Sequence, residues 1–135
     1  FAIKKDGLDI AVFEALKSSL PNDGRIVEHL QKLLAYSNSN LFFHVTYSSR
    51  KEGGKARKDT EMLAGIRKAA QSPPAGVEFL GLEDVEAESG RPYCLRGAYR
   101  RHGDDVTVFF LLIDMRQDAL REAIDAPDAW VGAGQ

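Results

Sequence analysis

Apolar side chains recur along the chain in two rhythms, and the switches between them divide it into elements. Leu8, Val12, Ala15 and Leu16 fall at helical spacing up to a break at Pro21-Asn22-Asp23-Gly24. Ile26, Val27, Leu30, Leu33 and Leu34 then form a second helical stripe, with Asn22 or Asp23 placed to cap it. Together they predict a helical hairpin. The rhythm changes at Leu41 to Tyr47, where aromatic and β-branched residues crowd into a segment too short for a typical helix, and a strand is expected. After the glycine- and lysine-rich stretch Ser48 to Lys58, Met62, Leu63, Ile66, Ala69 and Ala70 mark another helix, capped by Asp59 or Thr60 and stopped at Ser72-Pro73-Pro74.

Three strands are expected next, Val77 to Val85, Pro92 to Arg101 and Val106 to Asp114, joined by turns at Ser89-Gly90 and Gly103-Asp104. They read as an antiparallel meander, and Gln117 to Ile124 as a short C-terminal helix before a polar tail. With turns so centred, Glu83 faces Arg96, while Leu95, Gly97 and Tyr99 face Leu112, Phe110 and Val108. The opposite sheet face then mixes Phe79, Phe109, Leu111 and Ile113 with Arg96 and Arg100. The last strand is apolar on both sides and belongs inside the sheet, with the strand at Leu41 beside it or beside the strand at Val77. The expected fold class is α+β or an α/β sandwich: a helical hairpin, a strand-helix-strand unit, the meander of a sheet of about four strands, and the final helix.

Composition narrows the function classes more than it names one. The 135 residues suit a single globular domain, 1–135, and 44% apolar with 28% charged residues is ordinary globular usage. A net charge of −2 gives no global footprint for nucleic acid or an anionic membrane. The apolar run Val106 to Ile113 is too short to cross a bilayer, so no membrane association is expected. A single cysteine, Cys94, allows neither an internal disulfide nor a multi-cysteine zinc site, which favours a reducing, cytoplasmic location. The first residue is Phe1 and not methionine, so a removed upstream signal segment stays open.

The densest cationic run is Arg50, Lys51, Lys55, Arg57 and Lys58, between a strand and a helix N-terminus. Free backbone amides and the helix dipole favour an anion at such a place, and the dipole makes unpaired cations mildly unfavourable there. A phosphate or carboxylate would resolve that conflict, although a solvated charged loop accounts for the same residues, and the spacing matches no Walker A loop or dinucleotide fingerprint. A second cationic group is Arg96, Arg100, Arg101 and His102, with Arg96, Arg100 and His102 expected on one face. The plainer account pairs Arg96 with Glu83 and leaves the others as surface charges.

Leu16-Lys17 with Leu20-Pro21, then Arg25-Ile26 with Glu28 and Leu30, then Tyr93, Leu95-Arg96 and Tyr99-Arg100 before an apolar strand, form a pattern that loosely resembles ribonuclease toxins of the RelE type. That resemblance implies RNA laid on a basic sheet. The extra strand and helix between Leu41 and Ala70 depart from the pattern, so the likeness supports an alternative reading.

His44 lies inside an apolar strand with no second histidine or cysteine at ligand spacing, and reads as a satisfied core histidine. His29 reads as a surface residue and Cys94 as a small buried hydrophobe. Glu83, Asp84, Glu86, Glu88, Asp104, Asp105 and Asp114 have no spacing diagnostic of Mg²⁺ and read as strand-end and turn charges, while Tyr47 and Trp130 suit an interface and Trp130 equally the core. No metal or cofactor is expected. The leading expectation is a non-catalytic binding or regulatory domain for a protein or a small anionic ligand. The alternative is a small RNA- or phosphate-handling enzyme using the basic loop and the arginine-bearing strand.

Overall fold

The computed structural model describes residues 2–18, 24–36, 39–48, 59–85 and 93–114. Its described residues form a mixed α+β structure with six strands and two helices: β1 (Ala2–Lys5), β2 (Leu8–Ser18), α1 (Gly24–Ala35), β3 (Leu41–Ser48), α2 (Asp59–Ala70), β4 (Val77–Val85), β5 (Tyr93–Arg101) and β6 (Asp104–Asp114). All six strands join one sheet in the order β1-β2-β3-β6-β5-β4. β2, β3 and β6 are mutually parallel neighbours, and the other three pairings are antiparallel.

The expected helical hairpin is therefore replaced by a strand followed by a helix. Its first member is β2, and the reason lies just upstream: Asp6 and Gly7 both take positive φ, 53° and 79°, and close a tight β1-β2 hairpin. An Asp-Gly pair is a strong two-residue hairpin signal. Pairing with β1 on one side and β3 on the other then overrides the helical spacing of Leu8, Val12, Ala15 and Leu16.

α1 buries Ile26, Leu30, Leu33 and Leu34, and α2 buries Met62, Ile66, Ala69 and Ala70, both at spacings of four, three and one. Crossovers β2-α1-β3 and β3-α2-β4 step the same way across the sheet between strands of one direction. The right-handed connection almost always adopted then puts both helices on one face. There they pack over Val12, Leu16, Phe42, Leu95, Tyr99, Val106, Val108, Phe110 and Leu112 in one core. Gly97 belongs to this face because a β-carbon there would meet the rings of Tyr99 at 2.8 Å and Phe110 at 3.1 Å.

Glu83 and Arg96 are cross-strand partners, as expected, and their side chains form an ion pair. The second hairpin is slipped by two residues from expectation: Leu95 faces Phe110, Gly97 faces Val108 and Tyr99 faces Val106. The two-residue turn is His102-Gly103, both at positive φ, with Arg101 opposite Asp104. A bulge between Phe79 and Gly81 sets Phe79 opposite Tyr99, their rings 5.6 Å apart, so Phe79 joins the helix-covered face and not the other one. β6 lies inside the sheet with β3 beside it, as their two-sided apolar character indicates. The expected helix at Gln117 to Ile124, Trp130, and the turn at Ser89-Gly90 lie outside the described residues.

Two buried polar groups seal the end of the sheet where β6 begins. Arg101 donates hydrogen bonds to the carbonyls of Leu34 at 2.8 Å, Tyr36 at 2.9 Å and Ser39 at 2.8 Å, and to Asn40 Oδ1 at 3.2 Å. It thus closes the C-terminus of α1, whose last carbonyls have no partner within the helix. The Tyr99 hydroxyl does the same for α2, donating to the Ala70 carbonyl at 2.5 Å.

Candidate functional site

Fixing both helix C-termini where β6 begins directs both N-termini toward the other end of the sheet. A twelve-residue helix spans about 18 Å. At that other end the three parallel strands finish level with one another, Ser18 opposite Ser48 and Ser48 opposite Asp114. The side chains of Ser18 and Ser48 are buried. At the start of α1, Arg25 donates to the carbonyl of Lys17 at 3.3 Å. Open sheets bind ligands outside the carboxyl ends of their parallel strands, and helix N-termini supply free amides there. The basic segment leaves β3 at this edge, directly after Ser48. Arg50, Lys51, Lys55, Arg57 and Lys58 themselves lie outside the described residues.

Arg96 and Arg100 occupy a different place. Both project from the sheet face opposite the helices, Arg96 paired with Glu83 and Arg100 with Asp105 at 3.5 Å. Arg100 sits at the end where β6 begins. Asp105 and Asp114 are nine positions apart, roughly 30 Å along an extended strand. Arg100 is thus separated by that distance from the strand ends from which the basic segment departs. Arg101 faces the helices and is buried, so it is a helix-capping group and not a surface charge. Asp84, expected as a solvated strand-end charge, is in an ion pair with Arg67 of α2.

On the same sheet face as Arg96, Phe13, Phe43 and Phe109 stand in one register row and stack, with centroids 4.6 Å and 5.3 Å apart and planes 9° and 18° from parallel. Leu41, Val45, Tyr47, Leu111 and Ile113 flank the row and are half-buried. Cys94, opposite Leu111, is half-buried too, and burial pushes its thiol pKa up. It is less enclosed than expected of a core hydrophobe.

Beneath α1 a polar seam interrupts the core. Glu14 of β2, His44 of β3 and Phe110 of β6 share a register row, and His29 of α1 lies over it. The rings of His29 and His44 are 5.8 Å apart, and His29 Nδ1 is 3.6 Å from Glu14 Oε1. His44 is fully buried, yet neither ring nitrogen reaches a hydrogen-bond partner, and the buried hydroxyl of Thr46, two residues on, is unpartnered as well. The expectation of a satisfied core histidine is corrected: His44 is core but unsatisfied. His29 is likewise not a simple surface residue, since its side chain is 20% exposed and turned toward His44. Desolvation lowers the His44 pKa from 6.5 to about 4, the neighbouring His29 lowers it further within that shift, and contact with its own backbone pulls the other way.

The helical spacing of Leu8 to Leu16 conceals this seam, because a helix there takes Glu14 out of the row that holds His44. The alternation Phe42, His44, Thr46, Ser48 on a single face of β3 was the available signal. Among the described residues no group of three or more His, Cys, Asp or Glu side chains is placed to hold a metal ion, and no helix is long and apolar enough to cross a membrane.

The fold and these sites describe a mixed α+β protein with a helix layer over one face of a six-stranded sheet. Comparison of the chain with models of protein families, with curated proteins and with solved structures gives no match in any of the three.

Proposed function

We propose that the protein is a non-catalytic binding domain that takes a small anionic ligand of phosphate type at the carboxyl edge of β2, β3 and β6. The observation that carries this reading is the level ending of three parallel strands at Ser18, Ser48 and Asp114, with two helix N-termini directed to that edge and the cationic run following Ser48 in sequence. Amide donors there are unspent by the helices, and the basic side chains supply the charge that the dipole alone lacks. The ribonuclease-like alternative draws less support. Its arginine strand carries Arg100 at the opposite end of the sheet, and Arg96 and Arg100 are each already paired with a carboxylate.

Thermal unfolding in a series of pyrophosphate concentrations at low salt tests the reading. Ligand at ten times its dissociation constant stabilises by about 1.4 kcal/mol, a rise of about 4 °C for a chain of this size. Added salt should erode the rise, and the double variant K55E/R57E should remove most of it with little change in the unliganded midpoint. An equal rise in both proteins would place the site elsewhere, and no rise in the wild type would remove the reading. Salt-sensitive anisotropy of labelled RNA accompanied by its cleavage would establish the ribonuclease alternative instead.

A further inference from the structure

We infer that His44, with His29 and Glu14 beside it, forms an acid-operated latch that holds α1 against the sheet at neutral pH and loosens it as the solution is acidified. The geometry is that of a proton site with no counter-charge of its own. His44 is enclosed between the sheet and α1, and neither of its ring nitrogens has a hydrogen-bond partner. The described titratable groups facing it are Glu14 from β2 and His29 from α1, while β6 contributes the uncharged ring of Phe110 at 6.0 Å. His29 Nδ1 lies 3.6 Å from Glu14 Oε1, beyond hydrogen-bond reach. A proton on His44 would put a positive charge in a fully buried place beside the His29 ring, with no hydrogen-bond acceptor at either ring nitrogen. The inexpensive escape is to separate α1 from β3, which lets water reach the imidazolium.

The sign follows from linkage. His44 holds its proton less tightly in the folded state than in the unfolded chain, so between pH 6.5 and about 4 the unfolded chain binds more protons. The stability contributed by neutral His44 is therefore fully present above pH 6.5 and is lost as pH falls toward 4. Through this one group the folding equilibrium constant should drop by about 100-fold between pH 7 and 4, and by up to about 300-fold well below pH 4. Because His29 belongs to α1, the loss should register first there.

Urea unfolding and amide hydrogen exchange at pH 7, 6, 5 and 4 on wild type and His44→Phe make the test, with the imidazole resonances of wild type followed by NMR. Expected results are an acid loss of stability much smaller in His44→Phe, faster exchange in α1 than in β5 and β6 as pH falls, and a His44 resonance that still reports the neutral ring at pH 5. Parallel acid loss in the two proteins, or a His44 titration near pH 6.5, overturns the inference. If His44→Phe does not fold, the NMR titration and the order of exchange in wild type decide the matter alone.

Discussion

Arg96, Arg100 and Arg101 lie in one strand, and replacing each by methionine should separate them sharply in effect. Methionine keeps most of the aliphatic stem and removes the guanidinium. At Arg101 the loss strips four hydrogen bonds, three of them from main-chain carbonyls at 2.8 to 2.9 Å, and a cation over the Phe42 ring at 5.7 Å. Summing charged hydrogen bonds at about 1.5 to 3 kcal/mol each would overstate the cost, because carbonyls near a surface recover water. Tyr36 and Asn40 are exposed and will do so, whereas Leu34 and Ser39 are buried and will not. Two stranded carbonyls at about 1 to 3 kcal/mol apiece give a loss of about 4 kcal/mol for Arg101→Met, a fall of roughly 8 to 16 °C in melting temperature. Arg101→Lys should fall between, since one ammonium cannot span the same fork of acceptors. Arg96→Met and Arg100→Met break half-exposed pairs and should each cost less than about 1 kcal/mol. Urea denaturation followed by far-ultraviolet circular dichroism, with the slope checked for constancy, measures all four. A loss under 1 kcal/mol for Arg101→Met, or equal losses at Arg96 and Arg101, would refute the capping argument.

Tyr99→Phe leaves the Ala70 carbonyl without its donor at the buried end of α2, and should cost about 1 to 2 kcal/mol in the same urea assay. The phenol itself, held far above its ordinary pKa by burial, should stay un-ionised in an alkaline spectrophotometric titration until the protein unfolds. Cys94, half-buried with its thiol pushed up, should react with a disulfide reagent at pH 7.5 several-fold more slowly than a free thiol and accelerate on unfolding. Labelling of native protein at the free-thiol rate would show that the sheet face around Leu111 is open.

How much of this was legible in the sequence differs from element to element. The strands at Leu41, Val77 and Val106 and both helices announce themselves because each is bounded by turn or breaker residues and keeps one period throughout. β2 does not, since Leu8, Val12, Ala15 and Leu16 satisfy a helical period while its helix-facing row Val12, Glu14, Leu16 and Ser18 is half polar. The arbiter was Asp6-Gly7, whose left-handed conformation commits the chain to a hairpin before β2 begins. The Glu83–Arg96 register follows from a turn centred at Ser89-Gly90, whereas the second turn falls one residue earlier than Gly103-Asp104, at His102-Gly103 with both residues left-handed, and the bulge at Phe79 brings its ring against Tyr99. The site follows the same division. The cationic run is visible in the sequence, but the level ending of Ser18, Ser48 and Asp114 is a product of strand order, and so is the meeting of Glu14, His29 and His44. Contacts between distant parts of a chain leave no local mark on composition or period.

Strand order also sets a timetable for the growing polypeptide. β6 is the last described strand to emerge from a ribosome, yet it is the seam between β1-β2-β3 on one side and β5-β4 on the other. Until Asp114 has been synthesised, β3 and β5 each present an unzipped edge, and β3 carries Phe42, Phe43 and Val45 along its edge. Such edges template pairing with other chains. Between completion of β5 at Arg101 and of β6 at Asp114 the nascent protein is therefore two incomplete sheets that closing loops cannot join early. A chain truncated before Val106 would be a sticky fragment rather than a smaller version of the fold, so chaperone dependence should peak just before β6 is complete.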